Sequence, residues 1–262
     1  MTYFGFLIRF VFLPIFILAG LVWYDKKRGM GIQGFQKKTV WTIIGVHILL
    51  AVLYTTPWDN YLVATGVWSY NPQLVTGIIF GWVPLEEYIF FVAETLLCGL
   101  WWLFLAARIQ LKPNFIPSKV LRVRSFFVLL TIWILFVIML FSGWRPGTYV
   151  SVTFFWVLPA IFPQFLFGAD LLWHYRRLLF WTIVPLAIYL SLTDILALSA
   201  GTWSISPSQI TGILFFGILP LEEVIFFFMT TILIGFGMTL MLSDSSAQRF
   251  QDWRSRRYRG LP

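Results

Sequence analysis

Seven apolar runs, at about residues 3–24, 39–57, 74–107, 125–142, 148–172, 178–198 and 209–242, leave this chain little choice of architecture. Each is long enough to cross a hydrocarbon core, which takes roughly 20 helical residues. Only 11% of the 262 residues carry charge, against about 25% in a soluble domain. Such a chain cannot solvate its own surface. Alternation with period two, the mark of a membrane barrel, is absent. The expected fold is an all-α polytopic membrane protein with about seven transmembrane helices.

The cations agree with that count. Lys26, Lys27, Arg28, Lys37 and Lys38 lie between the first two runs, and Arg108, Lys112, Lys119, Arg122 and Arg124 lie between or just inside the third and fourth. Arg176 and Arg177 separate the fifth and sixth, and Arg249, Arg254, Arg256, Arg257 and Arg259 follow the seventh. Seven crossings put all of these on one face, leaving Arg145 on the other and Arg9 within the first run. The positive-inside bias then places the N-terminus outside and the C-terminus in the cytoplasm of a cell-membrane protein. The net charge of +8 reads as topology and as attraction to anionic membrane lipid. No nucleic-acid partner is expected, because the basic residues are scattered over loops. Cys98 is the single cysteine, which excludes an intramolecular disulfide and a cysteine metal cluster. His47 and His174 are too few and too separated for a metal site. The first run lacks a basic start and a small-residue cleavage site, so it is expected to be a retained span.

The chain repeats itself. PWDNYLVATGVWSYNPQLVTG at 57–77 aligns with LTDILALSAGTWSISPSQITG at 192–212, and Pro-Leu-Glu-Glu occurs at 84–87 and again at 220–223. Asp59 matches Asp194 and Trp68 matches Trp203, 135 apart, while Glu86 and Glu222 are 136 apart. The second copy therefore carries one extra residue near Phe216. Leu13-Pro14 resembles Leu158-Pro159 upstream. Each copy is three helices, and the fourth helix adds one crossing, so both copies enter the membrane with the same orientation as tandem parallel repeats. The expected divisions are a first repeat at 1–108, a basic loop and linking helix at 109–146, a second repeat at 147–242 and a basic tail at 243–262.

Carboxylates within hydrocarbon are costly, and a functional site is the default reading for them. Seven of the eleven acidic residues fall in the aligned segments and the apolar runs that follow them: Asp59, Glu86, Glu87, Glu94, Asp194, Glu222 and Glu223. Consecutive glutamates point about 100° apart on a helix. One of each pair is expected to face a cavity while a neighbouring helix holds the other. The rival reading is polar glue between helices. Glu94 has no counterpart, since Thr230 occupies the matched position. Asp59 and Asp194 are expected at the outer membrane edge, where helix capping competes with a supporting role. Runs 74–107 and 209–242 are too long, since thirty-odd residues of straight helix span about 50 Å. They must tilt, break or begin as a separate segment; Gly77, Gly81 and Pro84 in one copy, and Gly212, Gly217 and Pro220 in the other, are expected to supply the break, each proline acting from mid-helix. That would free the carbonyls of Phe80 and Phe216 beside the glutamates.

The 28 Phe, 14 Trp and 10 Tyr are expected first as interfacial belts and apolar core, Trp68 and Trp203 among them. Ring faces also stabilise cations without attacking them, so acids in an aromatic cage suit carbocation chemistry on an apolar alkene. Trp68, Trp203, Phe80 and Phe216 are the candidates for binding such a substrate. There is no GxGxxG, HExxH or Walker motif, no Arg within a turn of either Glu-Glu pair, and no lysine in the seventh run for a retinal Schiff base.

Two PLEE motifs in this scaffold, with Pro57-Trp58-Asp59 ahead of the first, resemble the small, cofactor-independent membrane lycopene cyclases built from two homologous units. The resemblance covers nearly the whole chain. Leu192-Thr193-Asp194 departs from PWD, keeping only the Asp. The resemblance implies a lycopene beta-cyclase, an intramolecular lyase of the isomerase class in carotenoid biosynthesis. It implies that a glutamic acid protonates the ψ end of lycopene, the cation closes a six-membered ring, and a carboxylate removes a proton. The products would be γ-carotene and then β-carotene, with no cofactor. Glu86, Glu87, Glu222 and Glu223 would form the acid–base set, with Asp59, Asp194, Glu94, Pro84 and Pro220 in support. The expected partners are lycopene or a related acyclic carotenoid, membrane lipid, and other carotenoid-pathway enzymes. A cyclase of C50 carotenoids or of ε or γ rings, and a proton-coupled carrier, are the alternative readings.

Overall fold

The structure, a computed structural model, describes residues 1–110 and 115–259, without the side chains of residues 38 and 256–259. Lys112 and the side chains of Lys38, Arg256, Arg257 and Arg259 therefore lie outside the described residues. Among the described residues, seven helices are long and apolar enough to cross a membrane: α1 Tyr3–Lys27, α2 Val40–Ala64, α3 Leu85–Ala106, α4 Lys119–Phe141, α5 Thr148–His174, α6 Arg176–Ser199 and α7 Leu221–Leu242. An eighth helix, α8, follows at Asp244–Arg259. Six short strands sit between them: β1 Trp68–Tyr70, β2 Ile79–Phe80, β3 Val83–Pro84, β4 Trp203–Ile205, β5 Leu214–Phe215 and β6 Leu219–Pro220.

Helices α3 and α7 pack against each other at the centre, with α1 and α2 on α3 and with α5 and α6 on α7. Helix α4 lies outside, against α5, and none of its residues is buried. Apolar helices gain little from one another in lipid, so polar bonds between them count for more. The central pair carries two. Thr230 donates its hydroxyl to Glu94 at 2.7 Å, and the Trp102 indole donates to the Thr239 hydroxyl at 2.9 Å.

Strands β1 and β4 pair antiparallel, with Ser69 opposite Ser204 and their hydroxyls 2.8 Å apart. These two serines are repeat counterparts, 135 apart. An antiparallel pair in which a residue faces its own counterpart requires a local two-fold axis at that point. The same symmetry recurs within the bundle. The Tyr54 hydroxyl donates to the Trp156 carbonyl, and the Tyr189 hydroxyl donates to the Phe10 carbonyl. A π-helical turn at Ile8–Phe12 takes up one residue in α1, because a π turn accommodates an extra residue without ending the helix. It keeps the start of α1 in register with the start of α5.

The expectation of a proline inside each long helix is corrected. Pro84 and Pro220 are extended residues at the N-cap positions of α3 and α7, where a missing N–H costs nothing. Runs 74–107 and 209–242 are each a loop and a tight hairpin followed by a helix of 22 residues, about 33 Å long. The Phe80 carbonyl sits in β2 and accepts the Tyr88 hydroxyl at 3.0 Å. In the first hairpin Phe80 pairs with Val83 around a two-residue turn, and Gly81 has φ 69°, the positive φ that such turns need. In the second hairpin Phe215 pairs with Leu219 around three residues, with Phe216 at φ 53° and Gly217 at φ 71°. The extra residue of the second copy is here.

Candidate active site

Both glutamate pairs stand in the first turn of a helix, where the helix dipole favours negative charge. Within each pair the two side chains diverge, as an offset of about 100° requires. Glu86 accepts the backbone N–H of Thr76 at 2.6 Å, and Glu222 accepts that of Thr211 at 2.7 Å. Each fastens the loop ahead of its hairpin to its own helix, so the holding partner is that loop and not a neighbouring helix. The second oxygen of each has no partner. Replacing Glu222 with Ala strands the Thr211 N–H. The expected cost is about 1–3 kcal/mol, read as a lower melting temperature in detergent. Glu222→Gln keeps an acceptor and is expected to cost less.

Glu87 and Glu223 turn the other way, into one chamber of about 30 Å³. Glu87 accepts the hydroxyls of Tyr3 and, at 3.0 Å, Tyr70, while Glu223 accepts the Tyr149 hydroxyl at 2.8 Å. Tyr3 opens α1 and Tyr149 opens α5, so these are equivalent contacts in the two copies. Burial, with the Asp59 and Glu87 carboxyls beside it, pushes the Tyr70 phenol up from its ordinary range, which keeps it a donor. Asp194 also lines the chamber and accepts the Trp203 indole N–H at 2.9 Å. Asp59 is fully buried, within electrostatic reach of Glu87 and Glu223, and neither of its oxygens has a hydrogen-bond partner. The rest of the chamber wall is aromatic: Phe6, Trp68, Phe90, Trp203, Phe226 and Phe227. Among the described residues, no lysine or arginine lines it.

Beyond the chamber lies a cleft of about 850 Å³ between α2, α5 and α7. It runs along α7 from Phe226 to Met241, fifteen residues or about 22 Å. Tyr54 and Trp156 line it and exchange hydrogen bonds at 2.7 and 3.2 Å. Ser246, Ala247 and Phe250 of α8 line the other end. Its lining is mainly apolar, with His47, Glu94 and Gln164 as polar points. The His47 Nδ1 lies 2.8 Å from the Ile43 carbonyl. Among the described residues, no group of three His, Cys, Asp or Glu is placed to hold a metal ion.

Several sequence expectations change. Asp59 and Asp194 are not helix caps, because α2 runs on to Ala64 and α6 to Ser199, and both are buried in the bundle. Trp68 is buried and Trp203 half-buried in the chamber wall, so neither is a belt residue. Phe80 and Phe216 lie at the hairpin turns, 54% and 80% exposed, and line neither cavity. Arg9 is exposed on α1, its guanidinium 3.6 Å from the Met1 sulfur and away from the carboxyls. Sequence reasoning missed Tyr3, Tyr70, Tyr149 and Phe226. Tyr3 and Tyr149 are 146 apart, one more than the Leu13–Leu158 match, and the π turn hid that signal.

Comparison with known proteins yields one family, described as lycopene cyclase, whose model matches residues 33–105 and 146–241. A lycopene beta-cyclase of Halobacterium salinarum is 34% identical over 209 residues, covering 75% of this chain and 81% of that protein. A bifunctional lycopene cyclase/phytoene synthase of Podospora anserina is 33% identical over 210 residues, 75% of this chain. A protein of the same description from Phaeosphaeria nodorum is 34% identical over 215 residues, 72% of this chain. The match takes in 34% of each fungal protein. No solved structure matches.

Proposed function

This chain belongs to the lycopene cyclase family, and from that premise we propose that Glu87 and Glu223 are the acid–base pair of its reaction. The protein is an enzyme of carotenoid biosynthesis that cyclises lycopene. The observation that carries the assignment is the convergence of the second glutamate of each copy, with Asp194, on a single aromatic-walled chamber. A buried carboxylate without a cation is costly, so these carboxyls hold protons among them. The Glu87 carboxylate has two phenol donors, Tyr3 and Tyr70, and the Glu223 carboxylate has one, Tyr149, with the weaker-donating Trp68 indole within electrostatic reach. Donors favour the ionised form, so Glu87 is the base and Glu223 the acid.

The Glu223 O–H delivers its proton to the terminal double bond of the ψ end, leaving a tertiary cation. The neighbouring double bond attacks that cation and closes a six-membered ring. Glu87 then takes a proton from the adjacent ring carbon, and the double bond left behind makes a β-ionone ring. The proton given equals the proton taken, no electrons are exchanged, and no cofactor is consumed. The faces of Trp68 and Trp203 stabilise the passing cation, and the buried aromatic wall keeps water from quenching it. Glu86 and Glu222 position the loops, and Asp59 and Asp194 share the proton field.

The remaining polyene occupies the apolar cleft, reached sideways from the bilayer. Residues 1–108 and 147–242 act as the two repeat units, joined by 109–146 and followed by the tail at 243–262. The basic loops and tail face the cytoplasm beside anionic lipid, with the N-terminus outside. Pigment analysis of a lycopene-accumulating bacterial host expressing this chain alone tests the reading. Lycopene is expected to give way to γ- and β-carotene. Unchanged lycopene with the protein present in the membrane refutes it, and an ε or γ ring refutes the deprotonation step.

A further inference from the structure

We propose that Phe226 is the gate between the cleft and the acid chamber, a positioning residue that decides which carotenoid ends reach the carboxyls; this rests on the cyclase reading above. Among the described residues, Phe226 alone lines both cavities. It follows Glu223 by three positions and precedes Thr230 by four, so these three share one face of α7. That face leads from chamber to cleft, with Glu223 in the first, Thr230 in the second and the ring between them.

The chamber of about 30 Å³ has the volume of about one water molecule. A branched isoprenoid end cannot enter while the ring stands where it does. The Phe226 ring lies flat on Trp58, with centroids 5.4 Å apart and planes 9° apart, and Trp58 in turn stacks on Trp156 at 4.4 Å. It meets Trp68 edge-on at 5.7 Å. The ring is therefore held by sliding aromatic contacts and no hydrogen bond. On one side it borders about 850 Å³ of unfilled cleft. Turning toward that space breaks its ring contacts with Trp58, Trp68 and Phe227.

The repeat makes the assignment specific. Phe90, 136 residues earlier, is the counterpart of Phe226 and also lines the chamber, but it does not border the cleft. A chamber built on a two-fold axis thus opens to the cleft at one of two equivalent phenylalanines. Each carotenoid end must pass Phe226 inward as an open chain and outward as a ring.

The test uses the full chain in two bacterial hosts, one accumulating lycopene and one accumulating an acyclic C50 carotenoid with prenyl-extended ends. Pigment is measured per amount of membrane-inserted protein. Phe226→Trp keeps an aromatic face but fills the passage, and is expected to cut lycopene conversion about tenfold or more. Phe226→Leu removes the aromatic face but leaves room, and is expected to lose several-fold less. Phe226→Ala is expected to cyclise the C50 carotenoid that the unaltered chain leaves largely unconverted. Wild-type conversion by Phe226→Trp overturns the gate. So does a loss in Phe226→Leu as large as in Phe226→Trp, which would make the ring a cation stabiliser. If Phe226→Trp does not reach the membrane, the C50 result with Phe226→Ala decides, and failure to convert overturns the gate. If the unaltered chain itself leaves lycopene unchanged, the cyclase reading fails and the gate falls with it. If it converts lycopene and the variants break the stated order, the gate alone falls.

Discussion

Glu223→Gln is expected to lower lycopene conversion by about 10²–10⁴-fold, the usual contribution of a general acid. The amide has nearly the shape of the acid and still accepts the Tyr149 hydroxyl, which Glu223 takes at 2.8 Å. It has no acidic proton to give. The protein should therefore insert and fold normally, and lycopene should accumulate without γ-carotene. Glu87→Gln is expected to fall by a comparable factor, because an amide cannot accept a proton from the ring cation. The two variants differ at the next step. Glu87→Gln still permits protonation, so cations that lose a proton from another carbon should appear as ε- or γ-ring side products. Glu223→Gln should yield none. Pigment extraction with membrane quantification reads both. A stable Glu223→Gln protein with unaltered conversion would remove it from the acid role.

The second large effect concerns stability at the far end of the cleft. Asp170→Ala is expected to cost about 3–5 kcal/mol, the usual penalty for breaking a buried ion pair from one side. Asp170, 4% exposed, accepts both Arg249 guanidinium nitrogens at 2.9 and 2.7 Å, with Arg122 at 3.8 Å. It also accepts the backbone N–H of Ser118 at 2.8 Å. One carboxylate thus ties α5, the start of α4 and α8 together. Without it, α8 should leave the cleft mouth and become open to protease. Limited proteolysis and thermal unfolding of the purified protein check this. A melting temperature and a cleavage pattern like those of the unaltered chain would show that α8 is held elsewhere. Cyclisation should fall less than stability, because the chamber lies at the opposite end of α7.

The seven spans, the basic side and the repeat are all readable in the residues themselves. Each follows from a short-range pattern: run length, charge position, or identity at a fixed offset. The repeat also singled out Glu87 and Glu223, which the structure brings to one chamber. The hairpins were less readable. A Gly-rich, apolar stretch ahead of Pro84 has the composition of a span, and nothing local distinguishes a two-residue turn around Gly81 from a kinked helix. Helix capping was one reading of Asp59, yet α2 continues past it to Ala64.

Composition and spacing determined that this chain is a duplicated helical membrane protein with glutamates at matched positions, because hydrophobic length and repeat offset are properties of the chain alone. Only the tertiary structure decided that the two members of each pair diverge, with Glu86 and Glu222 accepting loop N–H groups while Glu87 and Glu223 meet in one chamber. It also decided that Tyr3, Tyr70 and Tyr149 serve the second pair and that Phe226 stands between chamber and cleft. Those relations join residues 17 to 84 positions apart. They depend on a two-fold axis at Ser69 and Ser204 and on the rotation of α3 and α7 about their own lengths, both set by packing among helices.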